Sequence, residues 1–301
     1  MIERTWDAGR PVDVPATLGP LLRGRYDPAH RLDAAGRFWS ACTTPAGDGT
    51  LALRVRGTQV AAQAWGDGAG WLLERVPVLL GDSDDWSGLD VSPVRVLQAV
   101  RRSRPGLRLP HTGLVMDALV PAVLEQKVTG EEARRSWRLL LIRFGTPAPG
   151  PAPGLRVPPT PRALLDLPTW HWHRLGVDLK RQRTIRAAAT VARRVEEAAA
   201  MTPDDALARL LLIPGVGPWT AAETLQRAIG HPDAVSIGDY HLPNVLVHVL
   251  TGRARGSDEE MLELLAPWSG HRQRVMRLVE LTGIGAPRFG PRFAYTDIRA
   301  I

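Results

Sequence analysis

Leu210-Leu-Leu-Ile-Pro-Gly-Val-Gly-Pro-Trp-Thr-Ala-Ala-Glu223 is the stretch on which the fold turns. Apolar residues at three- and four-residue spacing carry a helix over Asp204–Leu212, and a second pattern of the same period runs over Thr220–Ile229. Between them lies Pro-Gly-Val-Gly. Pro218 then opens the second helix, where its missing N–H would have had no partner anyway. Gly215 and Gly217 are expected to allow positive φ and to leave nothing projecting over the turn. The backbone N–H groups at the start of the second helix would then face outward as an anion site suited to one phosphate. A plain helix-turn-helix corner is the alternative; the full Ile-Pro-Gly-Val-Gly-Pro-Trp-Thr-Ala string favours DNA-backbone binding over it.

Outward from this hairpin the chain reads as helical from Ser92 onward. Leu114–Leu124, Gly130–Phe144 and Arg181–Ala200 have the same apolar period. The run from Gly145 to Pro161 is too rich in Pro and Gly for a helix and reads as a loop. Residues 1 to about 90 differ: short apolar runs such as Gln59-Val-Ala-Ala-Gln-Ala-Trp alternate with Gly/Asp turns, a strand-and-turn signature, before a helical stretch near Trp71–Leu80. The expected class is therefore α+β, with an N-terminal antiparallel-sheet domain over 1–90 and a helical domain over 91–301. Gly283–Ile301 is basic, Gly/Pro-rich and expected to be irregular.

Composition narrows the function classes. The chain has 301 residues, 44% hydrophobic and 23% charged, the proportions of an ordinary globular protein. No apolar stretch is long enough to span a bilayer and no signal-peptide core is present, so a cytoplasmic protein is expected. The single cysteine, Cys42, excludes an intrachain disulfide, a Cys-ligated zinc site and an iron–sulfur cluster. The net charge is +7, and lysine occurs only at Lys127 and Lys180 among 38 basic residues. A GC-rich genome accounts for the arginine skew, while the positive sign suits a polyanionic partner. Trp170-His-Trp-His173 invites a metal reading, but two imidazoles are too few ligands.

The hairpin string resembles that of the helix-hairpin-helix DNA glycosylase superfamily, and other blocks resemble its AlkA-like, 3-methyladenine-excising branch. These are Leu119-Val-Pro-Ala-Val-Leu-Glu-Gln-Lys-Val-Thr, Leu175-Gly-Val-Asp-Leu-Lys-Arg-Gln, Val235-Ser-Ile-Gly-Asp-Tyr-His-Leu and Pro267-Trp-Ser. The likeness is nearly continuous from Leu114 to Leu281 and weaker over residues 1–90, where Asp27-Pro-Ala-His-Arg-Leu-Asp fits the family's sheet domain. The resemblance implies a two-lobed helical core and makes Asp239, twenty residues past Trp219, the catalytic carboxylate. Breaking an N-glycosidic bond develops positive charge on the sugar, which a fixed carboxylate stabilises; it can also orient the attacking water. At an effective dielectric near 20, opposite charges about 4 Å apart interact by roughly 4 kcal/mol, about three powers of ten in rate. The plainer reading of Asp239 is a helix cap, and the two are compatible.

The resemblance also carries the remaining expectations. Bifunctional relatives bear a Schiff-base lysine where this chain has Trp219, so water is the expected nucleophile and lyase activity is not expected. Trp219 and Tyr240 match positions lining the family's base pocket, which would favour a cationic alkylated purine. Glu223 and Arg277 stand where the family has aromatic residues, and if both face the pocket it is more polar. Gln126 and Lys127 fall in the turn that fills the gap left by the extruded base. Lys180 and Arg181 are candidate phosphate contacts, with Gly215, Gly217 and Thr220 of the hairpin. The carbonyls of Leu211, Ile213 and Val216 match those that hold a monovalent cation in related hairpins; no other cofactor is implied. The expected protein is a monomeric, monofunctional glycosylase acting on damaged duplex DNA, with 3-methyladenine and 7-methylguanine as its type substrates. A non-catalytic DNA-binding module and a glycosylase for a deaminated or bulky base are the alternatives.

Overall fold

In the computed structural model, residues 1–287 are described. Within them Gly283–Pro287 form no regular element, and the rest of the basic C-terminal stretch lies outside the described residues.

The N-terminal part is an antiparallel sheet of β1 (Ile2–Asp7), β2 (His30–Leu32), β3 (Phe38–Thr44), β4 (Gly47–Arg56) and β5 (Gln59–Trp65), in the order β1-β5-β4-β3-β2. Alternation fixes its register: Val60, Ala62 and Ala64 of β5 turn inward while Gln59 and Ala61 are exposed. Val60 pairs with both Val55 of β4 and Trp6 of β1. Between β1 and β2 run α1 (Val14–Leu18) and a short turn of 3-10 helix. After the sheet, α2 (Ala69–Glu74) and α3 (Val76–Leu79) cover its inner face and join Phe38, Leu51 and Leu53 in one core. The helical stretch expected near Trp71–Leu80 is thus two short helices.

Two helical lobes follow. α4 (Arg95–Ser103) belongs with later helices. α5 (Val115–Leu124) is buried along its length except at Asp117, because nine of its ten residues are apolar. A helix apolar on every side must be central, and α5 is enclosed by α6 (Gly130–Phe144), α7 (Pro161–Asp166), α8 (Thr169–Arg174) and α9 (Leu179–Thr190). Trp172 of α8 is fully buried in this core. The helix expected over Arg181–Ala200 is broken: Val191 leaves helical geometry (φ −113°, ψ 25°), and α10 (Ala192–Glu196) and a 3-10 turn take up the remainder. The Pro/Gly segment is a loop apart from a two-residue strand pair, β6 (Thr146–Pro147) with β7 (Arg156–Val157). α11 (Pro203–Leu211) and α12 (Pro218–Ala228) form the hairpin on this lobe.

The second lobe packs α13 (Leu242–Thr251), α14 (Asp258–Leu265) and α15 (Arg272–Leu281) with α4 around Leu246, Met261 and Val275. Trp86, Leu89 and Val91 also sit in this core. Ala234–Ile237, read as strand-like, forms no strand: it crosses between the lobes with Ala234, Val235 and Ser236 buried, and no neighbouring strand is there to pair with it. No helix among the described residues is long and apolar enough to cross a membrane.

Candidate active site

The hairpin turns as its glycines require, but only one of them at positive φ. Gly215 has φ +87°, and a Cβ there would lie 2.0 Å from Thr184 Oγ1 of α9. Gly217 is extended (φ −101°, ψ −179°) with open space around its Cα, so positive φ is a property of Gly215 alone. Val216 N–H donates to the Ile213 carbonyl at 3.0 Å and closes the turn. With Pro218 first in α12, the N–H groups of Trp219 and Thr220 have no acceptor among the described residues.

Asp239 stands beside this helix start. Its Oδ2 accepts the Trp219 indole N–H at 3.0 Å, and its Oδ1 accepts the backbone N–H groups of His241 and Leu242 at 2.7 and 2.8 Å. Both oxygens are therefore oriented by donors: one from α12 of the first lobe, two from the start of α13 of the second. The capping and catalytic readings coincide in one side chain, which remains partly exposed.

The turn after α5 lies against the hairpin. Gln126 Nε2 donates to the Gly215 carbonyl at 3.0 Å and to Thr220 Oγ1 at 2.8 Å. Gln126 and Thr220, expected to contact DNA, are instead engaged with each other, and Thr220 is only 3% exposed. Their role is to lock the two turns together. Lys127 next to them is exposed and has φ +54°, the only non-glycine residue at positive φ among the described residues. Beyond it Thr129 and Glu132 form a capping box that starts α6.

Arg181 is also a correction. It is 4% exposed and spends its guanidinium on Asp178 Oδ2 (2.7 Å), the Leu124 carbonyl (2.8 Å) and the Gly176 carbonyl (3.0 Å). It ties α9 to the end of α5 and cannot reach DNA. Lys180 beside it is exposed, one helical turn before Thr184, the residue that abuts Gly215. The chain's two lysines thus flank the hairpin from opposite sides.

One turn along α12 from Trp219, about 6 Å at 1.5 Å per residue, α12 enters a chamber of about 290 Å³. Glu223 and Arg277 both line it; Trp219 and Tyr240 do not, and no aromatic ring does. Tyr240 is 72% exposed with its ring against His241. The expected aromatic pocket is therefore replaced by paired charges. Glu223 binds Arg227 at 2.8 Å and accepts the Ser236 hydroxyl at 2.5 Å, while Arg277 pairs with Glu280 and donates to the Ala16 carbonyl.

Sequence reasoning missed Arg23, which pairs with Glu125 in the chamber at 2.8 Å. Burial first, and the nearby Arg227 guanidinium second, hold its pKa below the usual arginine range. Asp27 places it: its carboxylate accepts the backbone N–H groups of Arg23 and Ala29 and the Trp137 indole N–H of α6. No local pattern marks Arg23, since its partners come from α5 and α6.

A fold with two helical lobes, a joining hairpin and a carboxylate held between them is that of the helix-hairpin-helix DNA glycosylase superfamily. The 3-methyladenine DNA-glycosylase of Archaeoglobus fulgidus superposes with a TM-score of 0.74 at 15% identity, over 93% of this chain and 98% of that one. The 8-oxoguanine glycosylase/lyase of Clostridium acetobutylicum gives 0.70 at 9% identity, over 94% and 96%. In sequence the likeness runs to the AlkA-like branch. The chain is 34% identical over 149 residues to the "Probable bifunctional transcriptional activator/DNA repair enzyme AlkA" of Mycobacterium tuberculosis (strain CDC 1551 / Oshkosh). That match spans 48% of this chain and 29% of the relative's length. No protein-family model matches the chain.

Proposed function

We propose that the chain is a DNA N-glycosylase of base excision repair that uses water as its nucleophile. The observation carrying this reading is Asp239, fixed by the Trp219 indole and two backbone N–H groups beside an anion-seeking helix start. A pure DNA-binding module has no use for a carboxylate oriented next to a phosphate-binding turn. With one phosphate on the hairpin N–H groups and an extruded nucleotide in front of Asp239, the carboxylate faces the deoxyribose. As the N-glycosidic bond breaks, its electron pair leaves with the base, and Asp239 offsets the positive charge left on the sugar. Water adds at the anomeric carbon, and its proton passes to the carboxylate or to the departing base. The products are free base and an abasic strand.

Several things support the finer points. Related folds include DNA complexes, among them Mag1 of Schizosaccharomyces pombe with abasic DNA at a TM-score of 0.54 and 18% identity, over 67% of this chain and 97% of that one. The Clostridium relative is a glycosylase/lyase, and Trp219 at the hairpin has no amine for such chemistry. The carbonyls of Leu211 and Val216 accept no backbone hydrogen bond among the described residues, and that of Ile213 keeps one lone pair. All three are free to hold a monovalent cation that bridges to phosphate and takes no part in the reaction. The resemblance and the Mycobacterium relative favour alkylated purines in damaged duplex DNA. The aromatic stack that would select a cationic base is, however, absent from the chamber.

The test is Asp239→Asn on methylated DNA and on duplexes with single deaminated or oxidised bases. Base release falls by about three powers of ten while duplex binding persists. Undiminished release by the variant overturns the mechanism. Wild-type product is cut only after hot alkali; nicks without alkali overturn the water-nucleophile assignment.

A further inference from the structure

The chamber behind Asp239 carries information about the base it would receive. Three ion pairs line it: Arg23–Glu125, Arg227–Glu223 and Arg277–Glu280. Each carboxylate is therefore already matched by a guanidinium. Arg134 adds a further positive charge at the rim, with its side chain against Gly24 and no ion pair among the described residues. A cationic alkylated base would find no unmatched carboxylate and no aromatic face there.

The unspent capacity is of another kind. Each guanidinium has five N–H donors, more than its printed partners use. Gln273, 4% exposed on α15, lines the same chamber, and its Oε1 is buried without a hydrogen-bond partner. A buried acceptor left unmade is costly, and a ligand N–H would relieve it. The chamber's 290 Å³ is roughly twice the ~150 Å³ that accommodates a benzene ring, enough for a bicyclic base.

From these features we infer that the site is built for a neutral lactam base, a deaminated or oxidised purine, with carbonyl oxygens on the Arg23 and Arg277 guanidiniums and a ring N–H on Gln273 Oε1. This rests on the glycosylase reading of Asp239 and names the substrate class of that same site. The charge pairs hold the arginines in place, so their donors are arranged before a base arrives and need no reorganisation. A base with no adjacent C=O and N–H would leave Gln273 and the guanidinium donors unpaired, and a site of buried polar groups discriminates strongly against such an analogue.

The experiment measures single-turnover base release by the full chain from four substrates. Two are duplexes with hypoxanthine or 8-oxoguanine, one carries 1,N6-ethenoadenine, which is neutral and lacks the lactam, and one is methylated duplex scored for 3-methyladenine. At least one lactam base is released 10-fold or more faster than both others. Gln273→Leu lowers that release at least 10-fold without lowering the melting temperature, since replacing an unpaired buried acceptor with an apolar group is neutral or stabilising. Release of 3-methyladenine or ethenoadenine at equal or greater rate overturns the lactam assignment and leaves the glycosylase reading standing. Unchanged lactam release by the Gln273 variant overturns its role as reader. No release from any of the four overturns the glycosylase reading, and this inference with it.

Discussion

Trp219 Nε1 donates to Asp239 Oδ2 at 3.0 Å, joining the first turn of α12 to the segment entering α13. The bond gives a role to the residue that stands where bifunctional relatives carry lysine: it orients the carboxylate. Trp219→Phe keeps the apolar bulk and removes only the donor. A hydrogen bond to a charged group contributes about 1.5–3 kcal/mol, so base release should slow by roughly 10- to 100-fold. Binding to a duplex with an abasic-site analogue should not change. Equal losses in binding and release would mean the indole acts on DNA rather than on Asp239.

Gly215 is the hairpin's point of least tolerance. A Cβ there meets Thr184 Oγ1 at 2.0 Å and Thr184 Cβ at 3.0 Å, on a backbone at φ +87° that L side chains rarely adopt. Gly215→Ala must therefore move the turn or α9, and it should weaken duplex binding and lower the melting temperature together. Gly217→Ala meets nothing within 4 Å at a φ any residue adopts. It should be close to neutral. A reversed ranking, read from melting curves and binding titrations, would contradict this assignment of the two glycines.

The hairpin was legible because its signals are local: Pro218, Gly215 and the apolar period lie within fourteen consecutive residues. Asp239 was legible through spacing and resemblance, but its indole partner was not, because periodicity does not report where a side chain donates. Arg181 shows the limit most plainly. In sequence it is a basic residue after a lysine at a helix start, and only the packing of α5 against α9 turns it inward to the Leu124 carbonyl. The chamber was half legible: Glu223 and Arg277 stood out as departures from aromatic positions, whereas Arg23 and Gln273 reach it from remote segments with no pattern to mark them.

Burying Arg181 with three bonded partners makes it a structural tie, which separates it from its neighbour. Arg181→Met should destabilise the fold by about 3–5 kcal/mol, as expected when one partner of a buried pair is removed, with the remaining folded protein binding DNA normally. Lys180→Met should leave the melting temperature within a degree or two and weaken binding instead. Thermal melts and salt-dependent titrations of both variants decide the matter.

Lys127 is a cation held at φ +54° beside the hairpin. The left-handed conformation costs a non-glycine residue roughly 1–2 kcal/mol, so Lys127→Gly should raise stability by up to about that amount. If the ammonium meets a phosphate, the same variant flattens the plot of log binding constant against log salt by about 0.9. Gain of stability with loss of binding marks a strained residue kept for DNA. Stability gained with binding and salt slope intact would leave the strain without that purpose.

Asp117, the one polar residue within α5, has its pKa raised to about 8, chiefly by burial and further by Glu196 and Asp48. The folded chain therefore holds a proton that the unfolded chain has already released above about pH 4. The stability tied to that proton is fully present below the unfolded value and is lost as pH rises through about 8. His111, lowered to about 4 by burial and Arg75, works in the opposite sense, but only below the unfolded histidine value near 6.5. Between pH 6.5 and 8 the Asp117 contribution stands clear of it, with a slope of at most about 1.4 kcal/mol per pH unit. Asp117→Asn, which keeps the shape and removes the titration, should flatten the stability profile over that window and be more stable than the parent at pH 8.5. Denaturant melts at half-unit pH intervals test this, and parallel profiles for parent and variant would exclude Asp117 as the source of the slope.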